Sequence, residues 1–299
     1  MMENPVNDMN AILITGPTAS GKSALAVEMA REFGGVVINA DSMQVYDTLR
    51  VLTARPSDED MQGLPHYLYG YVPAGQAYST GAWLRDVATL LPRLRAQGKV
   101  PVFVGGTGLY FKALTGGLSE MPPIPEEVRR KLRLQLQQVG PEALHAQLQE
   151  VDSAIAESLN PQDGQRIVRA LEVFEATGRS IGHFQDGSGP VIIDPARAKK
   201  TVVLPDRAIL HQRINSRFEK MLAEGAEDEV KALLALKLPP EMPLMKAIGV
   251  SQIAAMLRGE MTREDVLEAG AAATRQYAKR QMTWFRNQMD ESWERRLSS

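Results

Sequence analysis

The sequence contains no cysteine, only four histidines, and no apolar run that approaches a membrane span. Without thiols there are neither disulfides nor thiolate zinc sites, which agrees with a cytoplasmic setting. Four scattered histidines give no His-based metal centre. A spanning helix needs about 20 consecutive apolar residues, so no membrane partner is expected. The stretch Met1 to Asn10 is polar and lacks the basic start and apolar segment of a signal peptide. The net charge is −2 over 299 residues, so a nucleic-acid partner would have to be held by local basic patches rather than by the global field. What remains is 44% hydrophobic and 23% charged. That composition suits one large globular domain, or a core with a smaller insertion.

The most informative segment present is Gly16-Pro17-Thr18-Ala19-Ser20-Gly21-Lys22-Ser23. It follows the apolar run Ala11-Ile12-Leu13-Ile14 and precedes the helix-forming Ala24–Ala30. Gly-x4-Gly-Lys-Ser is the phosphate-binding P-loop: glycines let backbone N–H groups wrap a phosphate, Lys22 reaches the terminal oxygens, and the Ser23 hydroxyl can hold Mg²⁺. A strand-to-helix turn with no ligand would not require Lys-Ser at that place. The segment predicts a di- or triphosphate ligand.

Strand-like runs at Ala11–Thr15, Val36–Ala40 and Val100–Val104, with helical patterns between them, predict a doubly wound α/β fold. This is a P-loop NTPase-like core, a parallel sheet flanked by helices with its sites at the strand C-terminal ends. Thr201–Leu204 reads as the sheet resuming. In between, Met121-Pro122-Pro123-Ile124-Pro125 opens a breaker-rich stretch. Helices are expected there at Glu126–Gln138, Pro141–Glu150 and Gln165–Thr177, with Gly187-Ser188-Gly189-Pro190 at the exit. The predicted organisation is a core of residues 1–116 and 200–299 with a helical insertion over 117–199. After Leu204 the chain reads as helical: Ala208–Ala223, Glu227–Leu236, Ser251–Arg258 and Arg263–Met289.

Asp41, in Asp41-Ser42-Met43-Gln44-Val45-Tyr46, ends the second strand run beside the P-loop. It suits a general base or metal partner, and equally a helix N-cap. The third strand runs into Gly105-Gly106-Thr107, where many P-loop hydrolases carry a magnesium-binding Asp. That absence weakens the case for nucleotide hydrolysis. Two glycines leave room for close approach of a ligand, or simply make a tight turn. Arg213, Arg217 and Lys220 form one basic stripe at helical spacing, and Arg275, Lys279, Arg280 and Arg286 another. Arg166 and Arg169 are a third pair. Each reads as a solvated face or as a phosphate-contacting one. Trp284-Phe285 reads as core rather than as a platform for stacked bases.

Taken in order, these motifs resemble the bacterial tRNA dimethylallyltransferase (tRNA isopentenyltransferase) family. The matching pieces are the P-loop, Asp41-Ser42-x-Gln44-x-Tyr46, Thr53-Ala54-Arg55-Pro56, Pro65-His66, Tyr78-Ser79 and Gly105-Gly106-Thr107-Gly108-Leu109-Tyr110. They continue with Gln165-Arg166-Ile167-Val168-Arg169, Leu210-His211-Gln212-Arg213-Ile214-x-x-Arg217-Phe218 and Thr274-Arg275-Gln276-x-Ala278-Lys279-Arg280-Gln281-x-Thr283-Trp284. The resemblance implies transfer of a dimethylallyl group from dimethylallyl diphosphate to N6 of adenosine 37 in tRNAs reading codons that begin with U. It makes Asp41 the base at N6 and Thr107 its neighbour. Lys22, Arg217 and a Mg²⁺ on Ser23 neutralise the leaving diphosphate. The tRNA contacts it implies are Asp41, Ser42, Met43, Gln44, Thr107, Arg129, Gln165, Arg166, Ile167, Val168 and Arg169, with the insertion gripping the anticodon stem-loop. The family is typically monomeric when free of tRNA.

One further tRNA segment of the family reads Arg-x-x-Gly-Tyr-Arg-Gln. Here it is Lys246-Ala247-Ile248-Gly249-Val250-Ser251-Gln252. Lysine keeps the charge without the planar fork, so a weaker or different contact is expected. Gly70 stands where the family often has Asp. The alternatives are an adenylate isopentenyltransferase, a P-loop metabolite kinase and a non-catalytic RNA-binding protein. The first needs no stem-loop grip, the second lacks the Asp41 and Thr274–Thr283 motifs, and the third has no need of Lys22 with Ser23.

Overall fold

The computed structural model describes residues 9–185 and 189–297. The polar N-terminal stretch through Asp8, and Gly187-Ser188 of the expected exit, lie outside them. The chain divides into two compact units: residues up to Thr115 joined with those from Ile192, and Gly116–Val191. The second crossing thus lies earlier than residue 200, because the Ile192 and Ile193 N–H groups already donate to Leu114 O at 3.2 and 3.0 Å.

The first unit begins with β1 (Ala11–Thr15), α1 (Lys22–Glu32), β2 (Val36–Asn39), α2 (Asp58–Met61), β3 (His66–Tyr67), α3 (Thr80–Ala96), β4 (Pro101–Gly105) and α4 (Gly108–Gly116). The second unit holds α5 (Glu126–Val151), α6 (Ser153–Ser158), α7 (Gly164–Thr177) and α8 (Ile181–Gln185). The first unit resumes with β5 (Ala198–Val203), α9 (Arg207–Ala223), α10 (Ala226–Ala235), α11 (Val250–Leu257), α12 (Arg263–Gln288) and β6 (Glu294–Arg296). No helix among the described residues is long and apolar enough to cross a membrane.

The strands form one parallel sheet in the order β3-β2-β4-β1-β5-β6. Every residue of β1 and β4 is buried, as expected where helices cover both faces of a parallel sheet. The centre is therefore apolar on both sides, with Ile12, Ile14, Val102 and Val104 packed on Leu25, Ala26 and Met29 of α1. Strand order departs from chain order between β1 and β4, the position where open α/β sheets form a ligand crevice at their carboxyl ends. The Thr15 hydroxyl donates to Gly105 O at 3.0 Å and ties those two ends together.

Two packing contacts set the shape of this edge. Trp83 of α3 is fully buried, stacks on Tyr110 at 4.2 Å between centroids, and meets Phe103 edge-on. Its indole N–H donates to Asn39 O at 2.9 Å, which satisfies the one polar atom it buries. Gly270 lets α12 close on α9: a Cβ there would lie 2.0 Å from the Phe218 ring.

In the second unit α5 is interrupted at Gly140, whose φ of 79° and ψ of 172° break the helix just before Pro141. Leu132, Leu144 and Leu148 of α5 pack on Ile167, Leu171 and Val173 of α7. Asp163 caps α7 by accepting the Arg166 N–H, and Gly178 ends it in a left-handed conformation.

Candidate active site

The P-loop occupies the turn from β1 into α1. Gly16 has to be glycine because a Cβ there would lie 2.6 Å from Val203 O. Gly21 adopts the left-handed conformation, φ 85°, at the N-cap of α1. The first-turn amides of α1 have no partner within the helix and point to where an anion binds. Lys22 folds back so that its ammonium donates to Pro17 O at 3.1 Å.

Lys22 and Arg217 each keep part of their length exposed, with the charged end deep among protein atoms. Burial pushes the Lys22 amine down to about 8, Asp41 opposes the shift, and Arg217 adds to it. Burial likewise lowers Arg217, against the pull of Asp41 and Asp60. Lys22, Arg217 and Asp41 therefore share one charged region at the P-loop, from α1, α9 and the end of β2, with Asp60 of α2 also acting on Arg217. Burial first, and the Asp41 charge second, raise the hydroxyls of Tyr69 and Tyr277. The Asp41 charge thus acts both on the two cations and on the hydroxyls of Tyr69 and Tyr277.

Asp41 performs the capping job that its sequence context allowed, but at a turn and with a single oxygen. Its Oδ1 accepts the Met43 N–H at 2.9 Å. Asn39, fully buried, fixes the backbone beneath: its Oδ1 accepts the Asp41 N–H at 2.8 Å, and its Nδ2 donates to Asp41 O and Leu68 O at 3.0 Å each. Sequence reading overlooked Asn39. The signal was a polar residue inside the strand run Val36–Ala40. Thr107 lies alongside: its Oγ1 accepts the Ser42 N–H at 2.9 Å and bonds the Ser42 hydroxyl at 3.3 Å. Gln44 is turned inward, its Nε2 donating to Thr53 O and Ala54 O at 2.9 Å each. That loop is anchored by Glu229 of α10, whose carboxylate accepts the N–H groups of Arg50, Val51 and Leu52.

Gly105 and Gly106 are explained by closeness rather than backbone strain. A Cβ on Gly105 would lie 2.0 Å from Ala40 O, so β4 ends in backbone contact with the residue before Asp41. A Cβ on Gly106 would lie 2.3 Å from Gln281 Nε2 and 3.6 Å from Asp41 Oδ2. The close neighbours of both glycines are protein atoms, which fits the tight-turn reading, and the turn places Thr107 beside Ser42.

The other expected residues divide by environment. Gly249 is the left-handed N-cap of α11 and packs on Leu52, while Ala247 and Val250 are buried. Of Lys246 to Ser251, only Lys246 and Ser251 present exposed polar side chains. In the second unit Ile167 and Val168 belong to the core, which leaves Gln165, Arg166 and Arg169 as the polar groups of the Gln165–Arg169 segment. Arg169 pairs with the buried Glu172 at 3.2 Å. Arg129 Nε is buried and has no hydrogen-bond partner among the described residues. The basic stripes also split. Arg217 turns to the P-loop, Lys220 pairs with Glu224 at 3.6 Å, and Arg275 donates to Asn215 at 2.6 Å. Lys279 and Arg280 line an open groove with Gln276, Thr283 and Trp284. Phe285 is core, whereas Trp284 is half-buried over Gly108.

No three His, Cys, Asp or Glu side chains converge among the described residues. A hard cation held mainly by phosphate oxygens and water needs no such cluster, and Ser23, exposed on the first turn of α1, offers the single hydroxyl that arrangement uses. Chemically, the site combines a polyanion cradle with two cations and, at the end of β2 beyond β4, a carboxylate able to take a proton from a second ligand. No acid stands at the end of β4, which runs into Gly105-Gly106-Thr107.

The chain matches the family described as IPP transferase over residues 44–288, and the description Isopentenyl transferase over residues 9–70. It is 76% identical over 294 residues to a tRNA dimethylallyltransferase of Rhizobium johnstonii, covering 98% of this chain and 99% of that one. Among solved structures it is similar to the full-length tRNA isopentenylpyrophosphate transferase of Bacillus halodurans. The TM-score is 0.68 at 30% identity, over 97% of this chain and 90% of the other. It is also similar to a eukaryotic dimethylallyltransferase captured acting on tRNA. There the TM-score is 0.76 at 27% identity, over 92% and 69% of the two chains.

Proposed function

The chain belongs to the IPP transferase family, and from that premise we propose that it transfers a dimethylallyl group from dimethylallyl diphosphate to N6 of adenosine 37 in tRNAs reading codons that begin with U. The observation that carries this reading is the charge cluster. Lys22 and Arg217 flank the P-loop, the neighbouring strand β4 ends without an acid, and Asp41 stands at the end of β2 beyond it.

The P-loop amides, Lys22 and Arg217 hold the diphosphate. Ser23 and the diphosphate oxygens would hold Mg²⁺, which supplies charge neutralisation to the leaving group. The bond from C1 of the prenyl group to the diphosphate oxygen breaks, and its electron pair leaves with diphosphate. The N6 lone pair forms the new bond to C1, and the N6 proton passes to the Asp41 carboxylate. Because an exocyclic amine is a weak nucleophile, alignment and proton acceptance at the transition state carry the chemistry. Asp41 Oδ1 is occupied by the Met43 N–H, so Oδ2 is the oxygen assigned to N6. Thr107, locked to Ser42, holds the acceptor base beside it.

The target base must leave the anticodon-loop stack to reach this site. We assign Ser42, Met43, Gln44, Lys246 and Ser251 to contacts near it, and Arg129, Gln165, Arg166 and Arg169 of the helical unit to the anticodon stem-loop. Lys279 and Arg280 suit phosphate contact. The working form is taken to be a monomer.

The test supplies protein, Mg²⁺ and dimethylallyl diphosphate with unmodified tRNA or with AMP, and reads nucleoside digests by mass spectrometry. Prenylated adenosine from the anticodon loop is the expected product. Prenylated AMP with unaltered tRNA would contradict the proposal and indicate the adenylate-directed reaction.

A further inference from the structure

Gln281 is a polar residue in an apolar place. On α12 it shares a face with Ala278 and Phe285, both buried, and is itself only 6% exposed. A buried amide must find partners within the protein, and this one finds them on two separate loops. Its Oε1 accepts the Thr18 N–H of the P-loop at 2.9 Å. Its Nε2 donates to Gly106 O, beyond β4, also at 2.9 Å. The orientation is unique, since the flipped amide would set NH₂ against N–H and oxygen against carbonyl. Gly106 is in turn enclosed between this amide and Asp41 Oδ2. The Thr18 amide is thereby occupied and is no donor to a phosphate.

We propose that Gln281 is a positioning residue, a clasp that fixes the distance between the P-loop, where the leaving diphosphate sits, and the Gly106–Thr107 loop beside Asp41, where the acceptor nitrogen is held. This rests on the prenyl-transfer reading above. It adds the claim that donor and acceptor subsites, each complete alone, are kept in register by one side chain from α12. Loss of the clasp leaves each ligand's own contacts in place and lets the two subsites drift. The consequence is a slower chemical step with little change in affinity, on the scale of the about 10²-fold penalty for about 1 Å of misplacement.

Two variants separate positioning from packing. Gln281→Met nearly conserves volume and removes both hydrogen bonds. Gln281→Glu keeps the acceptor for Thr18 and sets an oxygen against Gly106 O. Both are expected to lower kcat by about 10- to 100-fold, with KM for dimethylallyl diphosphate and for tRNA within about threefold of wild type. Residue-resolved hydrogen exchange of the Thr18 amide is read in parallel and needs no turnover. It should speed up about tenfold or more in Gln281→Met and remain slow in Gln281→Glu. Unchanged Thr18 exchange in Gln281→Met refutes the clasp whatever the activity, and unchanged kcat refutes its role in register. A fall in kcat matched by equal losses in both affinities makes the residue a packing element and also overturns the proposal. Failure of wild-type protein to prenylate tRNA would instead refute the underlying reading, while the exchange measurement still decides whether the clasp exists.

Discussion

Asp41→Asn separates the turn-capping bond of the Asp41 carboxylate from the base role proposed for it. Asparagine keeps an Oδ1 that can accept the Met43 N–H, so the turn persists and stability should move by no more than about 0.5 kcal/mol. Asp41→Ala removes that bond and should cost about 1 kcal/mol more. Proton acceptance at N6 is lost in both, and a general base contributes about 10²–10⁴-fold, equivalent to about 3–5 kcal/mol of barrier. Donor binding is nearly spared. Removing Asp41 deprives Lys22 of the charge that supports its protonation, so its pKa falls below about 8. Even a full-unit drop would only halve the protonated fraction at pH 7, a change of about twofold. Loss of repulsion between the carboxylate and the diphosphate works the other way. The assay is single-turnover transfer of labelled dimethylallyl groups to tRNA, together with calorimetric donor affinity and urea unfolding of each variant. A rate for Asp41→Asn within about threefold of wild type would refute the base assignment and leave Asp41 as a turn cap.

Three other outcomes follow from the geometry. With Lys22 titrating near 8 and its protonated form holding the diphosphate, donor affinity should be flat below pH 7 and fall about tenfold by pH 9. Lys22→Arg should show no such decline if it binds at all, and a wild-type profile flat to pH 9 would contradict the assignment. Arg217→Ala should weaken donor binding about 10- to 100-fold, the range of a lost charged hydrogen bond, and unchanged donor kinetics would return Arg217 to the solvated stripe. Gly105→Ala forces a Cβ to within 2.0 Å of Ala40 O. Backbone cannot yield as a side chain does, so urea unfolding should show a loss of at least about 1–3 kcal/mol, together with reduced transfer.

What could be read in advance was whatever is local. Ala11–Thr15, the glycines and Lys22-Ser23 are contiguous, and α5 broken at Gly140 and α7 ended at Gly178 carry their signals in neighbouring residues. The β3 and β6 strands did not stand out: His66–Tyr67 is two residues long, and Glu294–Arg296 is charged, exposed and a strand only through its pairing with β5. Gln281 lies within the Thr274–Trp284 motif, yet its hydrogen bond reaches Thr18, 263 residues away, and no periodicity reveals that. Arg217 and Lys220 share one stripe in sequence, and only the packing of α9 sends one to the P-loop and leaves the other with Glu224. Ile167 and Val168, inside the segment proposed to contact tRNA, are core residues of the helical unit, which leaves Gln165, Arg166 and Arg169 to make the proposed contacts.

The central claim is that a prenyl diphosphate, and not a nucleotide, occupies this P-loop. Calorimetric titration of dimethylallyl diphosphate and of ATP, each with Mg²⁺, into wild-type protein and Lys22→Ala tests it most directly. The account predicts that dimethylallyl diphosphate binds at least about tenfold more tightly than ATP, a gap of about 1.4 kcal/mol, and that Lys22→Ala abolishes that preference. ATP binding more tightly than the prenyl diphosphate, or donor binding indifferent to Lys22→Ala, would contradict it.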